Sequence, residues 1–72
     1  MSKYKYKIGD KVKLVFCTQN IPMPICRYFL DKQSIITNRS KSRLGNEYEI
    51  YNPKNNKFLA WVYEIQLKKW WK

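Results

Sequence analysis

The sequence predicts an all-β fold: one small domain of about five antiparallel strands. Three observations lead there. Short runs rich in aromatic and β-branched residues alternate with polar ones at a period of two. Turn-forming residues separate those runs, most clearly in the segment 52–57, where Pro53 presets its own φ and three Asn tolerate left-handed backbone. The 72 residues suffice for one domain with a small core, because so short a chain buries only about 60% of its unfolded surface.

In chain order, Lys3, Lys5 and Lys7 alternate with Tyr4, Tyr6 and Ile8, a strand-like pattern in a basic N-terminus (residues 1–7) that is able to flex. Gly9-Asp10 punctuates. Residues 11–16 alternate again, with Val12, Leu14 and Phe16 on one face and lysines on the other, as in a half-buried antiparallel strand. Residues 17–32 are different. Pro22 and Pro24 exclude a central strand or a continuous helix, yet Ile21, Met23, Ile25, Tyr28, Phe29 and Leu30 are apolar. Such a loop folds back to lid one end of a small core or presents a binding surface, with room for one helical turn in residues 24–30.

A second strand is expected over residues 33–38, around Ile35, Ile36 and Thr37. The basic segment 39–46 that follows is either a mobile loop or two strand ends joined by a turn at Gly45-Asn46. Residues 47–51 and 58–63 then form a hairpin across the 52–57 turn. Tyr48 and Ile50 share one face; Glu47, Glu49 and Tyr51 share the other, which the acids mark as solvent-facing. Ala60 and Val62 are the natural inward pair of the next strand, leaving Leu59, Trp61 and Tyr63 outside, though periodicity alone also allows the opposite register. Residues 64–67 are too short for a helix and suit one tight turn before a last strand. In the tail, adjacent Trp70 and Trp71 would face opposite ways, one capping the core and one exposed.

Two of these stretches carry a resemblance. Gly9-Asp10-Lys11-Val12 resembles the entry to the first strand of many SH3-like β-barrels, and Trp61-Val62-Tyr63-Glu64-Ile65-Gln66-Leu67 resembles their ending, where a 3₁₀ turn precedes the last strand. The resemblance spans residues 7–70 and implies a small SH3-like barrel over 1–72. Such barrels commonly carry a Gly early in the second strand, where this chain has Gln33-Ser34-Ile35. Nucleic-acid binders, methyl-lysine readers, peptide-binding adaptors and inhibitors all share that scaffold, so it implies a fold without choosing a function.

Composition narrows the chemistry. No stretch approaches the roughly 20 apolar residues of a membrane-spanning helix, and no apolar core follows the basic N-terminus as in a signal peptide. The expectation is a cytoplasmic protein with no membrane span, in which Cys17 and Cys26 are free thiols serving as small hydrophobes. A disulfide across the loop between them is sterically conceivable. Two Cys with no His do not make a zinc site, and no cofactor is expected. Catalysis is poorly supported. Neither a His nor a glycine-rich phosphate loop is present, and Glu47 and Glu49 are spaced as on an ordinary solvated strand.

The net charge of +10 points instead to a negatively charged partner, DNA or RNA first, unless it serves only to keep a small domain soluble. Arg39, Lys41, Arg43, Lys54, Lys57, Lys68 and Lys69 are the candidate phosphate contacts, with Trp70 among the aromatics (Tyr4, Tyr6, Tyr51, Trp61, Trp71) able to stack on bases. Only three of the fifteen basic residues are Arg, so base-specific readout is not expected. The alternative is a small inhibitor or adaptor that docks on an acidic surface of a host protein. In style the chain is similar to accessory proteins of phages and mobile elements. Its anchors would be Ile21, Met23, Ile25, Tyr28 and Phe29, and exposure of that cluster would favour it. A methyl-lysine cage from Tyr51, Trp61 and Tyr63 near Glu49 competes with plain cross-strand packing of the same side chains.

Overall fold

The computed structural model describes residues 3–19, 21–54 and 59–70. Among the described residues five strands form one antiparallel sheet: β1 (Lys11–Leu14), β2 (Gln33–Ser42), β3 (Gly45–Tyr51), β4 (Leu59–Tyr63) and β5 (Leu67–Lys69), in the order β4-β3-β2-β1-β5. A single helical turn, α1 (Met23–Cys26), lies in the long loop, and a 3₁₀ turn (Glu64–Gln66) joins β4 to β5. No helix among the described residues is long and apolar enough to cross a membrane.

Alternation explains which face is buried. Val12 and Leu14 of β1, Ser34 and Ile36 of β2, Tyr48 and Ile50 of β3, and Ala60 and Val62 of β4 all point inward. The expected register of β4 holds: Leu59 and Trp61 are exposed while Ala60 and Val62 are buried. Glu47 and Glu49 lie on the outer face, opposite Tyr63 and Trp61. Phe16 departs from its expected inward position. β1 ends at Leu14, where Val15 N–H turns to the carbonyl of Gln66, and Phe16 is left 42% exposed.

The basic segment after β2 resolves as two strand ends. β2 runs ten residues to Ser42, Arg43-Leu44 make the turn, and Gly45 opens β3 at φ +122°, where a side chain would be strained. Ser42 Oγ accepts from Leu44 N–H and donates to the Gly45 carbonyl, which fixes that tight loop. At the other end, Gly9 (φ +97°) lets its N–H reach the Ile36 carbonyl at 2.7 Å, while Asp10 Oδ2 accepts from Lys7 N–H. That pair starts β1 against β2.

The long loop closes the open end of the core. Ile21, Cys26 and Phe29 are buried with the inner sheet face, and Tyr6 joins them from the N-terminal side. Contrary to the free thiols expected from the sequence, Cys17 and Cys26 are joined in a disulfide with Cα atoms 6.4 Å apart. The physical reason is local. α1 and the bond from Ile21 N–H to the Thr18 carbonyl fold the loop on itself and bring the two Cα atoms within bridging distance. Lys57 and Trp71, singled out from the sequence, lie outside the described residues, as do residues 55–58 of the expected hairpin.

Closing a loop of this length stabilises a fold by about 2–3 kcal/mol, chiefly by restricting the unfolded chain. Reduction with a thiol reagent is therefore expected to lower the midpoint of thermal unfolding by roughly 10–20 °C for a domain this small, without changing the far-ultraviolet spectrum of the folded state. An unchanged midpoint would show that the bond does not constrain the chain in solution.

Candidate nucleic-acid interface

The basic surface is built on a docked N-terminal arm. Residues 3–8 form no strand; they are held by side chains of β3 and the 3₁₀ turn. Lys5 N–H donates to both the Tyr48 hydroxyl (2.9 Å) and Glu64 Oε2 (3.0 Å), and Tyr6 N–H donates to the same hydroxyl at 3.2 Å. Asn46 Nδ2 donates to the Lys3 carbonyl and to Glu64 Oε2, and the Tyr48 hydroxyl donates to Glu64 Oε2 as well. Tyr6 then drops into the core and donates its hydroxyl to the Leu67 carbonyl, with its ring edge-on to Tyr48.

These bonds perturb both titrating groups. Burial pushes the Glu64 carboxyl up, but the donors Tyr48 and Asn46, the Lys5 amide and the Lys5 charge outweigh it and hold the carboxyl below its ordinary value. Burial pushes the Tyr48 hydroxyl up, and its bond to the carboxylate adds to that.

A β-bulge decides where the arginine side of the surface lies. The β2–β3 register shifts between Ile36 and Asn38, which makes Thr37 the extra residue. Beyond it Arg39 pairs with Tyr48 and Lys41 with Asn46, so both basic residues share the inner face with those buried partners. Without the bulge they would share the outer face with Glu47 and Glu49. On the inner face they meet the arm. The Arg39 guanidinium lies 4.5 Å from the Tyr4 ring centroid and donates to the Tyr6 carbonyl at 3.3 Å, and Lys41 Nζ lies 5.0 Å from the same ring.

The arm also meets β5. Lys5, Tyr6, Lys68 and Lys69 line one shallow depression, and Lys5 Nζ sits 5.6 Å from the Tyr6 ring. Arg39 and Lys41 thus flank the arm on one side and Lys68 and Lys69 on the other. Arg43 is exposed at the β2–β3 turn, at the far end of the hairpin. Lys54 and Trp70 meet at a separate cleft with Lys32, near the opposite end of β2. Lys5 was not among the candidate phosphate contacts, although it lies in the basic stretch Lys3–Lys13. Its signal was the alternation of Lys and Tyr at the N-terminus, which marks the cluster but not that Tyr6 would be the anchor.

The apolar loop is largely structural. Ile21 and Phe29 are buried, Ile25 and Tyr28 are half-buried against the core, and Met23 alone of the five stands out at 70% exposure. The clustered exposure that a protein-docking loop would need is absent from these five side chains. No family model matches the chain, and no curated protein or solved structure is significantly similar to it.

The depressed carboxyl has a stability consequence with a definite sign. A group with its folded value lowered contributes stability above its unfolded value, and loses it as pH falls through the folded one. Glu64→Gln should therefore be less stable than the parent at neutral pH, and the difference should shrink as pH drops below the usual carboxylate range. Tyr48→Phe, which strips three bonds from one oxygen, should cost about 1–3 kcal/mol at pH 7. Urea unfolding between pH 7 and pH 3 measures both, and a gap for Glu64→Gln that widens in acid would contradict the assignment.

Proposed function

We propose that the protein is a non-catalytic nucleic-acid-binding module, built as an SH3-like barrel, that holds DNA or RNA mainly by its phosphates. The carrying observation is the gathering of Lys5, Arg39, Lys41, Lys68 and Lys69 about the docked arm, with the β-bulge turning Arg39 and Lys41 away from Glu47 and Glu49. Lysines that neutralise several phosphates at once release counterions and supply affinity without reading sequence. The strand order and the 3₁₀ turn before β5 support the barrel reading, as do the stretches at Gly9–Val12 and Trp61–Leu67.

Arg39 does two jobs in this reading. Its guanidinium covers Tyr4 and anchors Tyr6, so reversing its charge would disturb the arm together with the binding surface. Lys68 and Lys69 are cleaner probes, because both are exposed on β5 and Gln keeps most of their length.

Binding of labelled single- and double-stranded oligonucleotides across a salt series tests the proposal. The logarithm of affinity should fall linearly with the logarithm of salt, with a slope of magnitude about 3 or more. The double variant Lys68→Gln, Lys69→Gln should reduce that slope by about 1.5 and weaken all sequences alike. Absence of binding at low salt would contradict the proposal, as would a slope that the variant leaves unchanged.

A further inference from the structure

We infer that the cleft between the 28–33 loop and the turn after β3 is a seat for one unpaired base, so that the protein prefers single strands to duplex. The inference rests on the nucleic-acid reading above and assigns that activity a second, chemically distinct site. The cleft has a volume of about 430 Å³ and is lined by Asp31, Lys32, Gln33, Asn52, Pro53, Lys54 and Trp70. That volume lies within the range of small-ligand clefts, roughly 300–1,000 Å³.

Both walls are fixed. Buried Asn52 donates from Nδ2 to the Tyr28 carbonyl at 2.7 Å and accepts with Oδ1 from Lys54 N–H at 2.9 Å, tying the turn to the loop. Asp31 takes a left-handed φ of 58°, which Asp tolerates better than most residues, and its N–H donates to the Leu14 carbonyl. Trp70 is held by its own N–H, which donates to the Lys11 carbonyl at 3.1 Å. Trp70, half-buried, thereby lines the side of a preformed cleft.

The polarity of the lining selects the occupant. Asp31 opposes a phosphate on its side of the cleft while Lys32 and Lys54 attract one, so the cleft suits a flat, hydrogen-bonding group whose attached phosphates lie on the lysine side. A nucleobase is such a group: its face stacks on the indole, and its edge meets the Gln33 amide and the carboxylate. The flanking phosphates then lie toward Lys54 and Lys32, of which Lys32 Nζ also donates to the Arg27 carbonyl at 3.3 Å. A base paired within a duplex cannot offer its face in this way.

The other aromatic candidates are placed differently. Tyr6 is buried, Tyr4 lies beneath Arg39 and Lys41, and Tyr51 and Trp61 stand opposite Leu59 and Glu49 on the outer face. Trp70 combines partial exposure, a cleft and neighbouring lysines.

The test compares, by fluorescence anisotropy at one low salt concentration, a labelled ten-nucleotide single strand, an abasic strand of the same length, and a blunt duplex. Phosphates are equal in the first two, so the base seat predicts that the abasic strand binds about ten-fold more weakly, the size of a typical base–aromatic stack. Trp70→Leu should abolish that difference, whereas Trp70→Phe should keep most of it. Equal binding of the normal and abasic strands by the parent protein overturns the base seat while leaving phosphate binding intact. Failure of the parent to bind any of the three overturns both. The abasic comparison needs no variant, so a Trp70 substitution that failed to fold would not spare the inference.

Discussion

Glu64 Oε2 is the atom on which the candidate interface depends. One carboxylate oxygen collects an amide from the arm, an amide side chain from the start of β3 and a hydroxyl from its middle. Unpaired, a partly buried carboxylate surrounded by protein would be a cost; with three donors its charged form is favoured instead. The arm is a short, lysine-rich segment that makes no strand of its own, and its neighbours repel one another. It stays docked because backbone N–H groups that would otherwise need water find Tyr48 and Glu64, and because Tyr6 is buried.

Docking the arm has an electrostatic result. It lays Lys5 between Arg39 and Lys41 on β2 and Lys68 and Lys69 on β5, turning separated charges into one surface. The bulge at Thr37 works toward the same end by moving Arg39 and Lys41 to the face away from Glu47 and Glu49. Thr37 Oγ1 meanwhile donates toward the Glu49 carboxylate at 2.9 Å, holding that acid on the outer side. A single inserted residue thus segregates basic from acidic side chains on a strand pair whose plain alternation would have mixed them.

Much of the fold was legible in the residues, for identifiable reasons. Alternation with one buried face gave β1, the inward Tyr48 and Ile50, and the register of β4, because a one-residue slip there would bury Trp61 and expose Val62. The 3₁₀ turn and last strand were legible from a segment too short for a helix. What escaped was tertiary. Nothing local says that β1 stops at Leu14 or that a bulge resets β2. The two Cys were read through an inferred compartment, whereas loop geometry decides whether they can meet. Of the candidate site, the exposed lysines and arginines were legible from charge alone. Their grouping into an arm-centred surface and a separate Trp70 cleft was not, because it depends on hydrogen bonds between residues more than forty apart, such as Asn46 to Lys3.

Whether the docked arm organises the binding surface is read out by amide chemical-shift mapping of the isotope-labelled protein with a short single strand. Shifts are expected at Lys5, Tyr6, Arg39, Lys41, Lys68 and Lys69, with Glu47, Glu49 and Trp61 unmoved. Shifts concentrated on the Glu47–Trp61 face, with the arm silent, would contradict that role.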